Sequence, residues 1–440
     1  MKNTDISPRD FTIARLGQPR IESPLVRYAP MFVRQERRIA FPRYTDELQH
    51  WIDGTGMIPS FEHAGPRERI FFDPAKTSCG IVTCGGLCPG INDVIRAIVY
   101  EAYEAYGVNR VYGFRYGYRG MVKGHSIPPV VLDTEMVNDI HKKGGTVLGS
   151  SRGLQDVRKM VDYLEELQIS ILFAIGGDGT LRGASAIAAE VAGRGLEIAV
   201  VGIPKTIDND ILFVEETFGF KTAVEEAMEV IQSAHVESKG AENGIGLVKL
   251  MGRDSGFIAA QATLANADVN FCLVPEVPFS LEGEDGLFAM LEKRLLRRGH
   301  AVVVAAEGAG QQHIGGEHGR DGSGNVLHGD IGVFLKHALD DHFRKKNFPV
   351  TIKYIDPSYT IRSKPANAQD SQICLHMGQC AVHAGMSGCT DMLTGYWDKH
   401  YTHVPIRMAT ARRKTLDPQG FLWQTVLSVT EHGTHCMPNA

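Results

Sequence analysis

From Cys79 onward, short apolar runs alternate with amphipathic segments, and this alternation restricts the possible folds more than any other feature of the chain. The apolar run at 79–83 is followed by apolar residues at helical spacing between Asn92 and Tyr106. The pattern then recurs, with further apolar runs at 171–175, 197–203, 245–250, 270–274 and 301–307. Strands that alternate with helices form βαβ units, whose strands run parallel. The sequence therefore predicts an α/β fold with mostly parallel sheets.

The alternating part spans about 300 residues, which is more than one hydrophobic core usually supports. We therefore predict two Rossmann-like three-layer lobes with the active site in the cleft between them. Residues 76–220 are the expected nucleotide-binding lobe, completed by about 370–410, and residues 221–369 are the expected second lobe. Residues 411–440 form a C-terminal segment. Residues 1–75 are interpreted as an extension that wraps the main body or a neighbouring subunit, with disorder of the first 20 or so as the alternative.

Charge and composition exclude several classes of protein. The chain has 46 Lys and Arg against 51 Asp and Glu, so it lacks the basic excess typical of proteins that bind nucleic acid or a membrane surface. No apolar run has the length of a membrane span, and the N-terminus lacks the apolar region of a secretory signal. We expect no nucleic-acid partner, no membrane partner and a cytoplasmic location. The eight cysteines do not include the two closely spaced pairs that are typical of a zinc site, which favours reduced thiols.

Glycine-rich polar segments follow the apolar strands at several places. Open α/β sheets bind ligands at the carboxyl ends of their strands, so these segments are candidate sites. Their agreement carries more weight than any one of them. The five segments are TCGGLCPGIN (83–92), GGTVLGSSRG (144–153), IGGDGT (175–180), IPKTIDND (203–210) and LMGRDSG (250–256).

The first three segments have the residues of a polyphosphate site. Gly85 and Gly86 let backbone N–H groups approach a phosphate beside a helix N-terminus, although a turn without a ligand is equally consistent. Arg152 presents a fork suited to phosphate oxygens, with a solvated surface arginine as the alternative. Asp178 stands among glycines at a strand end, where a carboxylate can hold Mg2+ together with phosphate oxygens. Lipid kinases and NAD kinases have a motif similar to this third segment, so the segment alone does not identify one class of enzyme.

The fourth and fifth segments indicate a proton acceptor and a substrate site. Asp208 and Asp210 are two positions apart, and their repulsion favours a base or a metal ligand over burial. One carboxylate can accept a hydroxyl proton while Lys205 and Mg2+ offset the charge, with a loop of solvated aspartates as the alternative. Arg253 is a candidate phosphate or sugar ligand, and Glu307 follows a strand at a position where it can accept hydrogen bonds from sugar hydroxyls.

Taken together, the order of these motifs over residues 78–410, followed by YIDPSYTIR, resembles the phosphofructokinase family. The combination of GGDGT, PKTIDND and KYIDPSYTIR is similar to the long-chain ATP-dependent group of plants and protists. The short bacterial ATP enzymes have glycine at the position of Lys205. The resemblance implies transfer of the γ-phosphate of ATP to the C1 hydroxyl of fructose 6-phosphate, with Mg2+. It implies that residues 221–369 are the fructose 6-phosphate-binding lobe.

The resemblance also implies roles for individual residues. Asp208 matches the general base, and Lys205 and Arg152 are its expected catalytic partners. The expected ATP and Mg2+ contacts are Gly86, Arg152, Gly153, Gly177, Asp178, Gly179 and Thr180, with Asp178 as the metal ligand. The expected fructose 6-phosphate contacts are Thr206, Ile207, Asp208, Met251, Gly252, Arg253, Glu307, Tyr359 and Arg362.

Two positions bear on the phosphoryl donor. Pyrophosphate-using relatives have Asp where this chain has Gly179, and a carboxylate there would repel the α-phosphate of ATP. Glycine therefore favours ATP, although pyrophosphate users also carry the equivalent of Lys205. Arg362 is expected to reach the 6-phosphate, either within its own subunit or across a subunit interface. The compact bacterial members place a phosphate-binding arginine where this chain has Gly244, which puts an equivalent intersubunit contact in doubt.

Alternatives to the ATP-dependent reaction stay open from the sequence. The nearest is a pyrophosphate-dependent phosphotransferase acting on the same sugar phosphate. A catalytically silent regulatory subunit is a further alternative, but such proteins usually lose the base or the metal carboxylate, and this chain retains Asp178 and Asp208. The resemblance also implies a homo-oligomer, a tetramer or a dimer.

Overall fold

The computed structural model describes residues 6–28, 32–34, 36–124, 127–315, 319 and 327–431. The chain divides into two compact units. Unit 1 comprises Met1–Thr206, Ile211–Gly219 and Ser363–Arg412, and unit 2 comprises Ile207–Asp210, Phe220–Arg362 and Arg413–Ala440. The chain first passes from unit 1 to unit 2 between Thr206 and Ile207, within the predicted PKTIDND site.

The strands alternate with helices along most of the described chain. In chain order the strands are β1 Ala14–Arg15, β2 Ile21–Glu22, β3 Arg38–Ala40, β4 Ser60–His63, β5 Arg69–Ile70, β6 Ser78–Thr83, β7 Arg110–Phe114, β8 Val130–Leu132, β9 Ile171–Gly176, β10 Ala199–Pro204, β11 Gly244–Leu250, β12 Phe271–Leu273, β13 His300–Ala306, β14 Thr351–Ile355, β15 Cys389–Thr390, β16 Met392–Trp397 and β17 His400–Pro405. The α-helices are α1 Thr45–Thr55, α2 Ile91–Tyr100, α3 Val157–Glu166, α4 Asp178–Gly193, α5 Phe220–Lys239, α6 Phe257–Asn266, α7 Leu287–Arg298, α8 Ile331–Lys345, α9 Ser358–Ser363, α10 Ala368–Met386, α11 Ile406–Ala409 and α12 Phe421–Val429.

Unit 1 is built on a nine-stranded sheet with the order β3-β4-β17-β16-β10-β9-β6-β7-β8. Its five middle strands, from β16 to β7, run parallel, and antiparallel strands extend both ends. Strands β6, β9 and β10 are buried along their whole length. Continuous burial is expected of parallel strands that are covered on both faces. The apolar runs of the sequence predict these three strands for that reason.

Unit 2 is built on a four-stranded, fully parallel sheet with the order β12-β13-β11-β14. On one face, Leu247 of β11 belongs to a core that includes Leu291 of α7 and Leu335 of α8. On the other face, a Cβ added to Gly246 would lie 2.7 Å from the carbonyl oxygen of Ala234 in α5. Successive residues of a strand point to opposite faces, so helices cover both sides of this sheet. The predicted α/β class with mostly parallel sheets is confirmed.

Several elements differ from the pattern predicted by the sequence. The helix predicted over Asn92–Tyr106 is α2 followed by a π-helical turn at Glu101–Tyr106. Part of the segment 1–75, the predicted extension, supplies β3 and β4, the last two strands at one end of the large sheet. Most of the segment 313–325, whose glycine-rich polar sequence predicts a surface loop, lies outside the described residues. No helix in the described part of the chain is long and apolar enough to cross a membrane.

Candidate active site

Three neighbouring strands of unit 1 end side by side, and each is followed by a predicted site segment. Thr83 at the end of β6 pairs with Ile175 of β9, and Pro204 at the end of β10 pairs with Gly176. The strands are parallel, so their carboxyl ends meet at one edge of the sheet. This edge therefore brings together the segments that follow residues 83, 176 and 204, as the strand-end argument predicts.

The loop that carries Arg152 is attached to the glycine turn after β6. The amide of Gly85 donates to the carbonyl oxygen of Ser151 at 3.0 Å, and the hydroxyl of Ser150 donates to the carbonyl oxygen of Gly85 at 2.6 Å. Gly153 has a φ of 106°, which favours glycine at that position. The structure thus places Gly86, Arg152 and Gly153 in two connected loops, although the hydrogen-bonded residues Gly85 and Ser150 are 65 positions apart in the sequence.

Asp178 is the first residue of α4, directly after the strand β9. Thr180 is buried, and its carbonyl oxygen accepts a hydrogen bond from the Tyr118 hydroxyl at 2.7 Å. A Cβ on Gly176 would come within 2.2 Å of the Thr180 hydroxyl oxygen, so this position requires glycine. The side chain of Asp178 is 17% exposed, and Arg182 Nε lies 3.2 Å from its Oδ2.

The carboxylate of Asp178 suits a divalent cation shared with phosphate. It is a hard oxygen donor at a strand end, and Mg2+ is usually held by one or two carboxylates plus substrate phosphates. Its partner Arg182 is 59% exposed and also donates to the carbonyl oxygen of Thr410 at 2.8 Å, and an exposed ion pair of this kind adds little to stability. Residues 176, 177 and 179 around it are glycines, which leave the carboxylate accessible.

Gly179 and Lys205, the two predicted donor-specificity positions, differ in their surroundings. A Cβ on Gly179 would meet no atom within 4 Å. The ammonium of Lys205 is buried and donates to the carbonyl oxygen of Gly86 at 2.7 Å. Lys205 therefore fixes the glycine turn, which sequence reasoning did not predict. The next residue, Thr206, is fixed through its carbonyl oxygen, which accepts from the Thr217 hydroxyl at 2.7 Å.

A second sheet edge, in unit 2, brings together the predicted sugar-phosphate residues. Leu250 at the end of β11 pairs with Ala306 at the end of β13, and Ile355 at the end of β14 pairs with Val248. The segments that begin at Met251, Glu307 and Asp356 therefore leave the sheet at the same edge.

Gly252 holds two of these segments together. Its carbonyl oxygen accepts from the amide of Gly308 at 3.0 Å, and the amide of Glu307 donates to Leu250 at 2.9 Å. Gly252 has a φ of 128°, and a Cβ there would lie 2.4 Å from the carbonyl oxygen of Ser255. Only glycine fits this turn, which brings the Met251–Arg253 loop beside Glu307.

Asp208 is the titratable residue with the clearest chemical consequence. Its carbonyl oxygen accepts from the Ser255 hydroxyl at 2.9 Å, and its neighbour Ile207 is buried. Burial, with the nearby charges of Asp210 and Glu307, raises the pKa of Asp208 to about 7, against the opposing effect of Arg413 and Arg253. A carboxyl group poised near neutral pH is suited to accepting a proton at physiological pH.

Tyr359 and Arg362 lie on the short helix α9. The guanidinium carbon of Arg362 lies 5.1 Å from the centre of the Tyr359 ring, and Tyr359 is 83% exposed. The segment before α9 is anchored, because Lys249 Nζ lies 2.7 Å from Asp356 Oδ2. The reach of Arg362 across a subunit interface stays a prediction.

Another cluster in unit 1 has possible metal ligands but a different character. Within the described part of the chain, Glu62, Cys389 and His403 form one buried group whose ligand atoms lie within 4.8 Å of one another. Arg15 donates to Cys389 Sγ at 3.1 Å and to Glu62 Oε2 at 2.6 Å. The guanidinium already supplies positive charge to this group, so the cluster is a poor cation site and a good anchor for the N-terminal segment.

Sequence reasoning did not find two residues that support the candidate site. Arg413 pairs with Asp210, and Lys249 pairs with both Asp330 and Asp356. Arg413 lies 203 positions from its partner, so no local motif connects them. Lys249 did carry a signal, because it is a lysine within the apolar strand that precedes Met251.

Comparison with known proteins agrees with this architecture. The family model described as Phosphofructokinase matches residues 78–385. The chain is 47% identical over 435 residues to the ATP-dependent 6-phosphofructokinase of Borreliella burgdorferi, covering 96% of both chains. It is 45% identical over 435 residues to the enzyme of the same name from Amycolatopsis methanolica, covering 96% of this chain and 94% of the relative.

A solved structure shows the same fold at low sequence identity. The crystal structure of pyrophosphate-dependent phosphofructokinase from Marinobacter aquaeolei superposes with a TM-score of 0.64 at 19% identity, covering 79% of this chain and 88% of the other. Residues 78–385, which the family model matches, include the strand-end segments of both sheets described above. On the matching family model and these two relatives, the chain belongs to the phosphofructokinase family.

Proposed function

We propose that this protein transfers the γ-phosphate of ATP to the C1 hydroxyl of D-fructose 6-phosphate, giving fructose 1,6-bisphosphate and ADP. The observation that carries the proposal is the pKa of the Asp208 carboxyl group. Burial and two neighbouring carboxylates, one of them that of Glu307, raise this pKa to about 7, against the opposing effect of Arg253. Relatives at 45–47% identity that are named ATP-dependent 6-phosphofructokinase support the choice of substrates.

In this proposal the edge of the unit 1 sheet binds ATP. The glycine turn at Gly86 and the N-terminus of α4 offer backbone N–H groups to the phosphates, because a helix N-terminus carries partial positive charge. Arg152 adds a guanidinium for the phosphate oxygens, and Lys205 holds the turn in place. The remaining proposed contacts are Gly153, Gly177, Gly179 and Thr180.

The edge of the unit 2 sheet binds the sugar phosphate. Arg253 and Arg362 are the proposed phosphate ligands, and Glu307 is the proposed acceptor for sugar hydroxyl groups. The hydrogen bond of Gly252 keeps Arg253 and Glu307 on adjoining loops. Met251, Thr206, Ile207 and Tyr359 complete the proposed substrate contacts.

Kinases of this family generally need a divalent metal, and we propose Mg2+ held by Asp178 and the phosphate oxygens. When bound, the ion supplies positive charge that stabilises the phosphoryl group during transfer. The protein's own contribution at this position is a carboxylate at a helix N-terminus with glycines on either side.

The proton transfer is assigned to Asp208. Its carboxylate accepts the proton of the C1 hydroxyl as that oxygen forms a bond to the γ-phosphorus of ATP. The bond from the γ-phosphorus to the oxygen that bridges it to the β-phosphate breaks, and ADP leaves with that oxygen. Phosphoryl transfer depends mostly on positioning and electrostatic stabilisation, which the two arginines and the helix N-terminus supply.

A pyrophosphate-dependent reaction is the second candidate, and one residue favours it. Lys205 is shared with pyrophosphate-using enzymes, as the motif comparison implies, and its ammonium is placed at the glycine turn. Gly179 argues for ATP, because the space around it is open and an α-phosphate would meet no carboxylate there. We therefore retain ATP as the proposed donor.

A donor assay tests the proposal directly. Purified protein is supplied with fructose 6-phosphate and Mg2+, and formation of fructose 1,6-bisphosphate is followed with ATP or with pyrophosphate. We expect turnover with ATP at a rate at least a hundredfold above that with pyrophosphate, since enzymatic discrimination of this size is readily reached. Equal or faster turnover with pyrophosphate would overturn the choice of donor.

Two broader features are also proposals. A homo-oligomer, a tetramer or a dimer, follows from the family resemblance, and its size is measurable by analytical ultracentrifugation. A cytoplasmic location fits a glycolytic enzyme and is tested by cell fractionation with an antibody against the native chain.

A further inference from the structure

The segment Arg413–Leu416 is attached to the predicted catalytic loop. The amide of Lys414 donates to the carbonyl oxygen of Asp210 at 2.8 Å, and the amide of Leu416 donates to Glu276 Oε1 at 2.8 Å. The same oxygen of Glu276 accepts from the amide of Gly256 at 3.0 Å, at the start of α6. The segment is thus fixed at two points on the framework that also holds the Met251–Gly256 loop.

Arg413 contacts two acidic side chains, those of Asp210 and Asp254. Its Nη1 pairs with Asp210, whose side chain is 3% exposed. Its Nε lies 3.8 Å from Asp254 Oδ2, the residue directly after Arg253. Ser255, next to Asp254, donates its hydroxyl to the carbonyl oxygen of Asp208 at 2.9 Å. The guanidinium therefore joins the loop that carries Asp208 and Asp210, the aspartate loop, to the loop that carries Arg253 and Asp254, the arginine loop.

Charge balance gives this connection a chemical consequence. Asp208 faces the carboxylates of Asp210 and Glu307, which together with burial raise its pKa. The guanidinium groups of Arg413 and Arg253 lower that pKa. Arg413 acts on the base directly by its charge and indirectly by neutralising Asp210. Loss of one such cation at short range typically changes a carboxyl pKa by about one unit or more.

We propose that Arg413 is a positioning residue that neutralises Asp210 and ties the aspartate loop to the arginine loop, so that Asp208 is ionised and correctly placed as the base. Arg413 lies beyond residues 78–385, the part of the chain that the family model matches. The inference rests on the proposed role of Asp208, and it assigns to the segment after α11 a part in catalysis.

The first test is a pH profile of kcat/KM for fructose 6-phosphate at saturating ATP and Mg2+. A base must be deprotonated to act, so kcat/KM of the unaltered protein falls as the pH drops below about 7. In Arg413→Gln we expect this acidic limb to move upward by about one pH unit and kcat/KM at pH 7 to fall about fivefold. Arg413→Lys keeps the charge, so its acidic limb should lie close to that of the unaltered protein.

Arg412→Gln is the matched control, because it removes the same charge from the exposed preceding residue. We expect its pH profile to match that of the unaltered protein. If Arg413→Gln is folded and its limb stays within about 0.2 pH units of the control, the inference is wrong. If Arg413→Gln does not fold, Asp254→Asn replaces it, since this variant releases the Nε contact and keeps the Asp210 pair. An unchanged kcat in that variant would then contradict the joining of the two loops.

A direct titration separates this inference from the proposed base role. Infrared spectra of protein labelled with carbon-13 at the aspartate carboxyls, with Asp208→Asn subtracted, report ionisation of Asp208 without any assay of activity. A shift of this titration in Arg413→Gln with no shift of the activity limb would support the electrostatic part and refute Asp208 as the base. A fixed titration in Arg413→Gln would refute the inference and leave the base role standing.

Discussion

Gly179 is the residue on which the choice of phosphoryl donor depends. It occupies the second position of α4, next to the proposed metal ligand Asp178, and a side chain there would meet no protein atom within 4 Å. An acidic residue in the first turn of a helix is also favoured by the helix dipole. We therefore expect a substitution at this position to leave the fold intact and to act on the proposed nucleotide site.

The variant Gly179→Asp should lose ATP-dependent turnover. The new carboxylate would repel the α-phosphate of ATP, so we expect kcat/KM for ATP to fall at least tenfold, a loss of about 1.4 kcal/mol of transition-state binding. The measurement is steady-state kinetics with varied ATP at fixed fructose 6-phosphate.

Gly193→Asp is the matched control for this variant. Gly193 is the last residue of the same helix, it is exposed, and a Cβ there would also meet no atom within 4 Å. We expect its kcat/KM for ATP to stay within twofold of the unaltered value. Equal kinetics in the two variants would show that a carboxylate at position 179 does not meet the nucleotide.

Among the secondary-structure elements, the strand ends were the most predictable feature and the connections between distant segments the least. Strands such as β9 and β10 read as continuous apolar runs because they are covered on both faces. Their polar successors, including Asp178 and Lys205, could therefore be located from the sequence alone. The pair of Arg413 with Asp210 could not, because it depends on two segments that meet only in the folded chain.

Strands β16 and β17 were also missed, for a physical reason. Strand β17, with the sequence HYTHVP, mixes aromatic, polar and apolar residues, and β16 contains a glycine. Neither has the uniform apolar character or the clean alternation that marks a strand. Their place in the sheet follows from tertiary pairing, of β16 with β10 and of β17 with β4. This pairing supplies hydrogen bonds that a local pattern does not reveal.

The connection between β11 and the segment before α9 leads to a prediction. Lys249 near the end of β11 is largely buried, and its ammonium lies 3.0 Å from Asp330 and 2.7 Å from Asp356. Asp356 in turn accepts from the amide of Ser358 at 3.1 Å, at the start of the helix that carries Tyr359 and Arg362. Lys249→Met should therefore release that helix and raise KM for fructose 6-phosphate about tenfold with KM for ATP unchanged.

Lys353→Met serves as the control, because Lys353 lies on the neighbouring strand β14 and pairs with Glu237 at 3.5 Å in an exposed position. Exposed pairs of this kind contribute little, so we expect KM for fructose 6-phosphate to change less than twofold. A Lys249→Met enzyme with unchanged KM for the sugar would show that the anchor does not position the substrate helix.

On the scale of the whole molecule, the proposed ATP residues and most of the proposed sugar-phosphate residues belong to different units. Most of the proposed ATP residues follow β6 and β9 of unit 1, and most of the proposed sugar-phosphate residues follow β11, β13 and β14 of unit 2. Asp208 belongs to unit 2, two residues after the chain leaves unit 1. The α/β class could be predicted from strand alternation, whereas the location of the active site in a cleft between lobes stays a prediction.

The central claim is that Asp208 takes the proton from the sugar hydroxyl, and turnover of Asp208→Asn is its most direct test. Asparagine keeps the shape and removes the proton acceptor, so we expect kcat to fall by about 10²–10⁴-fold, with KM for fructose 6-phosphate little changed. Binding of ATP, measured by calorimetry, should be unchanged, because the proposed ATP residues belong to unit 1. A folded Asp208→Asn enzyme with kcat close to the unaltered value would contradict the account.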